Sequence, residues 1–212
     1  MTEIGKTARA YRAIEDMILF GEIAPGSLVS EAMLMDQIGL GRTPIREALQ
    51  QLSRNRMVEI HPNKGVLVPP ISVEAQFRLL ETRRVLEALA VQLACRRATE
   101  ADRRSMVEMK ALLTEGSFAM RAYIETVQGT HDLIVKGARN DYLAAAMGPL
   151  QGLSRRFWIS HVVDERKEID AGRRLHMAIL HAIIDQDTAA AEKFSIKLND
   201  YLVDFARDTV GR

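Results

Sequence analysis

The sequence holds a single cysteine, Cys95, among 212 residues, so no internal disulfide can brace the fold. Its LACRR setting reads as small, buried core filler. Proline and aromatic residues are scarce, at six and 5%, which removes many helix breakers and ring-rich strands and leans the chain towards helix. No apolar run approaches the roughly 18 residues that a membrane-spanning helix requires. The opening MTEIGKTARAYR puts polar residues where a secretory signal needs an apolar core. Neither charge sign dominates, with 29 Lys+Arg against 28 Asp+Glu, so a polybasic or polyacidic chain is excluded. What is present is 47% apolar and 27% charged residues, ample for a packed core and unlike a disordered segment. The expectation is a soluble protein of a reducing, cytoplasmic compartment, with no membrane partner.

The first seventy residues are short elements with sharp punctuation. Tyr11, Ile14 and Ile18 keep helical spacing up to Gly21. After the turn GEIAPG, Ser30 can cap a short helix with Leu34 and Ile38 inward and Gly39 as its stop. Thr43-Pro44 opens the next helix, where proline is tolerated in the first turn. Ile45, Ala48, Leu49 and Leu52 form one apolar stripe at i, i+3, i+4 and i+7. The segments 58–60 and 66–68 flank HPNKG and read as a hairpin. Pro69-Pro70 then stiffens a connector, placing a domain boundary near 69–72.

Everything beyond reads as helix, over about 72–98, 99–113, 117–136, 141–162, 167–185 and 188–209. Thr99 with Asp102 is a variant capping box. Phe77, Leu80, Leu86, Leu89 and Leu93 are the inward candidates of the first. The doublets Arg96-Arg97, Arg103-Arg104 and Arg155-Arg156 read as solvated faces, and Phe157 and Trp158 as core. The predicted fold is mainly α: a winged helix-turn-helix over residues 1–70, with a small β-hairpin wing, then an all-helical antiparallel bundle over 71–212.

The helix-turn-helix carries chemistry. Between residues 42 and 64, Arg42, Arg46, Arg54, Arg56 and Lys64 outnumber Glu47 and Glu59, a local net charge of +3. If the apolar stripe faces inward, Arg46, Gln50 and Arg54 face outward, and Arg42 and Thr43 sit at the helix start. An arginine fork can take two acceptors of a guanine, and a threonine hydroxyl or the helix N-terminus can hold a phosphate. Lys64 and Gly65 at the hairpin tip form a candidate wing. No nucleophile elbow, P-loop, dinucleotide fingerprint or H-E-x-x-H motif is present.

The stretch GEIAPGSLVSEAMLMDQIGLGRTPIREALQQLSRNRMVEIHPNKGVLVPPI closely resembles the DNA-binding domain of GntR-type bacterial transcription regulators. The resemblance implies that Arg42, Thr43 and Arg46 read bases and phosphates, and that Lys64 and Gly65 enter the minor groove as a wing; Gln50, turned outward beside them, joins the candidate DNA contacts. Gly41 stands where the family usually has Ser or Thr, which removes a capping hydroxyl. ETRRVLEALAVQLA, HDLIVKGARNDYL and LHMAILHAIIDQDTAAA resemble the FadR-like branch of that family, whose second domain is the helical FCD type. Such domains bind small carboxylates and dimerise, and many hold a divalent metal through one Asp and three His.

Carried over position by position, that ligand set is incomplete. His131 and His176 match two histidines, whereas Val127 stands at the Asp position and Leu198 at the third His. No metal is therefore assigned; if one binds, it does so without two of the four family ligands. Arg83, His131 and His176 are the candidate effector contacts. Arg83 is either a carboxylate clamp or an i,i+4 partner of Glu87, and the two histidines are either ligand contacts or hydrogen-bonded core. The expectation is a homodimeric, ligand-responsive repressor, released from double-stranded operator DNA by a small organic acid. The rival is a metal-dependent or metabolite-binding helical enzyme with a vestigial winged helix.

Overall fold

The computed structural model describes residues 5–210. The opening residues of the stretch read for a secretory signal lie outside the described residues. The described chain divides into two compact units, one reaching Ser72 and including Gly152–His161, the other comprising Val73–Gln151 and the residues from Val162 onwards.

In the first unit the order is α1 (Lys6–Leu19), β1 (Leu28–Val29), α2 (Glu31–Ile38), α3 (Arg42–Arg54), β2 (Glu59–His61) and β3 (Gly65–Leu67). Local chemistry sets these bounds. The Ser30 hydroxyl accepts from Met33 N at 3.1 Å, and Gly39 ends α2 in the left-handed region at φ 69°. Ile45, Ala48, Leu49 and Leu52 are each no more than 1% exposed, so the stripe on α3 is the core. Ala10, Ile14 and Ile18 of α1, Leu34 of α2, and Val66 and Val68 pack against it.

The sheet is larger than the predicted hairpin. Its order is β1-β3-β2, with Val29 opposite Val66 and Ile60 opposite Val66 on the other side, both pairings antiparallel. Gly26 N to Val68 O at 2.7 Å and Val68 N to Ser27 O at 3.0 Å extend the first pairing. Leu153 also packs against this core, and Arg156 donates to Pro69 O. Arg155 and Arg156 are 8% and 4% exposed, so the solvated face expected for that doublet is corrected to a buried one. Phe157 and Trp158 are buried, and the Phe157 ring stacks on His161 with centroids 4.3 Å apart.

The second unit contains α4 (Val73–Arg97), α5 (Glu100–Glu115), α6 (Met120–Ala138), the first part of α7 (Asp141–His161), α8 (Glu165–Ile184) and α9 (Thr188–Val210). Thr99 Oγ1 accepts from Asp102 N at 3.2 Å while the Asp102 carboxylate accepts from Thr99 N at 3.0 Å, which completes the capping box. Gly137 lets α6 lie close to its neighbours: a Cβ there would stand 3.0 Å from Met106 and 3.3 Å from Ala98. Met106, Leu113, Leu180 and Ile183 are fully buried. On α4 Leu80 and Leu93 are buried as the leucine pattern predicts, but the inward face departs from it elsewhere. Leu89 is 40% exposed, whereas Gln76, Arg83 and Glu87 are buried beside Leu80, Ala90 and Ala94. No helix of the described residues is long and apolar enough to cross a membrane.

Candidate nucleic-acid interface and effector cavity

The α2–turn–α3 pair builds the first site. With its apolar stripe held in the core, α3 turns Arg42, Thr43, Arg46 and Gln50 to solvent, all exposed. Arg46 is the most constrained of them. Its Nε lies 2.7 Å from Glu31 Oε2, the first residue of α2, which steers the guanidinium and leaves both Nη groups for another partner. Glu31 escaped the sequence reading because the pairing is made between helices. Gly41 caps α3 without a side-chain bond, so the first backbone N–H groups of the helix keep the partial positive charge that attracts phosphate.

The hairpin tip is shaped by two left-handed residues. Asn63 has φ 61° and Gly65 φ 121°, and Lys64 N bonds His61 O at 3.1 Å. Lys64 is exposed at the tip. Gly65 is required by the sheet itself, because a Cβ there would meet the Val29 carbonyl oxygen at 2.7 Å. Its close approach is to β1.

The second site is a cavity of about 20 Å³ in the helical unit, lined by residues that include Glu87, Val91, His131, Met147, Gln151, His176, Ser195 and Leu198. His131 and His176 meet there, with Nε2 atoms 3.3 Å apart and ring centroids 5.2 Å apart. His176 Nδ1 lies 2.7 Å from Gly172 O. A carbonyl only accepts, so Nδ1 carries the proton and the Nε2 of the neutral ring accepts from His131. Burial pushes the His176 pKa down and keeps the ring neutral.

Arg83 is buried but does not line the cavity. Its Nε, at 3.1 Å, and its Nη2 both donate to Glu87 Oε1. Glu87 and Gln151 do line the cavity, and their Oε2 and Nε2 atoms are buried without a hydrogen-bond partner. Gln151 was missed by the sequence reading; its only signal is a polar residue between the glycines of GPLQG in α7.

The donor set does not fit a divalent metal. Two imidazoles converge, but Val127 and Leu198 offer only buried hydrocarbon. No group of three or more His, Cys, Asp or Glu among the described residues could hold a metal ion.

Residues 6–68 match the family model of bacterial regulatory proteins of the gntR family, and residues 78–198 match that of the FCD domain. The chain is 29% identical over 172 residues to the Nta operon transcriptional regulator of Aminobacter aminovorans, covering 79% of each. It is 26% identical over 192 residues to the HTH-type transcriptional repressor GlaR of Escherichia coli (strain K12), covering 86% of this chain and 87% of that protein. Among solved structures, E. coli McbR/YncC matches 98% of this chain and 100% of its own with a TM-score of 0.80, at 18% identity, a likeness of fold alone.

Fold and exposed helix together define a winged-helix DNA-binding transcription regulator with a helical sensor part. These relatives carry the same vocation, and none of them is named as an enzyme. The chain belongs to the GntR family of bacterial regulators, in its FCD-bearing branch.

Proposed function

We propose that this protein is a cytoplasmic homodimeric repressor that grips a short palindromic operator and releases it when a small molecule enters the helical unit. The observation that carries the reading is α3: its greasy side is wholly buried while Arg42, Thr43, Arg46 and Gln50 stand together in solvent. In this reading Arg46 and Gln50 take base edges in the major groove, Arg42 and Thr43 take phosphate, and Lys64 with Gly65 forms the wing. A two-fold dimer presents two such helices to half-sites about one helical turn apart. Val85 and Leu89, one turn apart on α4 and 67% and 40% exposed, supply apolar surface of the kind a second copy covers.

The relatives named as repressors support the sign of regulation. Ligand binding shifts the population towards a dimer whose reading helices no longer match adjacent grooves. The carboxylate effector expected from the family resemblance meets an obstacle, since the Arg83 fork is already engaged by Glu87. A gel-shift titration on the DNA upstream of the protein's own gene, at several salt concentrations and alongside sizing of the free protein, tests the reading. Specific retention by a dimer is expected; equal affinity for random DNA refutes it.

A further inference from the structure

On the cavity in the helical unit, Glu87 and Gln151 each carry a side-chain atom whose hydrogen-bonding capacity is unused. Glu87 and Gln151 are 6% and 5% exposed, both line the cavity, and Glu87 Oε2 and Gln151 Nε2 have no hydrogen-bond partner. Burying a polar atom without a partner is costly. An acceptor and a donor left bare on one cavity therefore describe what the cavity is made to receive.

The charges narrow it further. Arg83 gives two N–H groups to Glu87 Oε1, so the carboxylate is already compensated. His131 donates from Nε2 to His176 Nε2, and His176 donates onward from Nδ1 to Gly172 O. A ligand carboxylate would face Glu87 Oε2 with no Lys or Arg among the lining residues to receive it. A ligand ammonium would be buried in a lining whose one negative charge is spent. The donor set has already failed to fit a metal, so no ion can bridge the protein to a carboxylate.

We infer that the effector is a small uncharged molecule whose polar head both donates and accepts, as an alcohol or a primary carboxamide does, bound without metal. The head donates to Glu87 Oε2 and accepts from Gln151 Nε2, while Val91, Ile134 and Ile179 take its aliphatic body. A cavity of about 20 Å³ holds little more than a water-sized group. Entry of the body therefore displaces a wall, and Met147, unbranched and adaptable, is the side chain built for it. Met147 and Gln151 both lie on α7, so a ligand that occupies the cavity acts directly on that helix. This inference rests on the reading above, in which the helical unit is a sensor.

The test uses the full-length protein and four probes of equal carbon number: butyramide, 1-butanol, butyrate and butylamine. Binding is read by calorimetry and thermal shift, in chelator and again with Zn²⁺ or Mn²⁺, and operator affinity is read in parallel. Butyramide or butanol should bind at least roughly tenfold tighter than butyrate or butylamine in chelator, with no gain from metal. Gln151→Met should weaken butyramide by roughly tenfold while leaving the melting temperature near wild type. The wild-type probe comparison stands by itself if that variant does not fold. Preference for butyrate, a requirement for metal, or no binding of any probe overturns the inference. Binding of butyramide or butanol without any change in operator affinity upholds the ligand class and refutes the sensor reading instead.

Discussion

Replacing Gly65 by alanine separates what the wing needs in order to exist from what it needs in order to touch DNA. At φ 121° the backbone lies where L side chains are strained, a penalty of about 1–3 kcal/mol. The added Cβ would stand 2.7 Å from the Val29 carbonyl oxygen, and moving a backbone atom out of the way costs about 1–3 kcal/mol more. The displaced carbonyl belongs to a strand of two residues, paired with β3 at Leu28↔Leu67 and Val29↔Val66 and continued by the bonds of Gly26 and Ser27 to Val68. Gly65→Ala should therefore destabilise the reading unit by about 3 kcal/mol, a large part of the ~5–15 kcal/mol of an ordinary domain.

Lys64→Ala is the contrast. Lys64 is exposed and pairs with nothing that shapes the turn except through its own backbone, so stability should move by no more than about 0.5 kcal/mol. If Lys64 sits on a phosphate, the slope of log K against log salt should become shallower by about 0.9. Urea unfolding and operator titrations at three or more salt concentrations measure both quantities on both variants. Wild-type stability for Gly65→Ala would show that the clash and strain are relieved elsewhere, and an unchanged salt slope for Lys64→Ala would remove the wing from the DNA.

Arg46→Ala should cost about 1–3 kcal/mol of operator discrimination while changing stability by less than about 1 kcal/mol, because its pair with Glu31 is solvent-exposed; fluorescence anisotropy with operator and scrambled duplexes checks this. Gly41→Ser should add a few tenths of a kcal/mol to stability and tighten operator binding, since Gly41 has ordinary extended φ and open space around its Cβ position. Asp102 is held well below the usual carboxylate range, first by the Thr99 hydroxyl and backbone N–H and then by Lys136. A lowered folded pKa gives stability that is full above the unfolded value near pH 4 and is lost as pH falls below it. Asp102→Asn should thus be less stable by about 1 kcal/mol at pH 7, with the gap closing in acid, as urea melts at pH 7 and pH 3 would record.

Legibility in the sequence followed the range of the interaction. The Ser30 cap, the Gly39 stop, the α3 stripe and the Thr99–Asp102 box are written within a turn or two of chain, and each reappears where spacing put it. Strand β1 was not legible: two residues carry no period, and their partner lies nearly forty positions away. The orientation of Arg46 by Glu31 and the burial of Arg156 over Pro69 O are likewise set across the chain. On α4 the reading held for Leu80 and Leu93 and missed at Leu89 for a different reason. Leucine spacing favoured Leu89, but the buried face runs through Gln76, Leu80, Arg83, Glu87 and Ala90, where a paired charge is buried as readily as hydrocarbon once each has satisfied the other.

That buried pair gives meaning to the two missing metal ligands. Had only Val127 and Leu198 changed, His131 and His176 would be left facing a void with lone pairs to spare. Instead Leu198 closes one wall of the cavity and packs with Ala90, Val91 and Ile179 in the core, while Val127 is buried at 6% exposed. His131 instead gives its Nε2–H to the Nε2 lone pair of His176 at 3.3 Å. Restoring a metal would thus need more than two donor side chains. It would have to displace packed hydrocarbon and break the bond between the histidines, so Val127→Asp with Leu198→His should bury an uncompensated carboxylate and destabilise the apo protein by several kcal/mol before any ion could offset it. Recovery of tight Zn²⁺ binding by that double variant, with apo stability intact in a thermal melt, would show that the cavity is a metal site in waiting and that its filling is incidental.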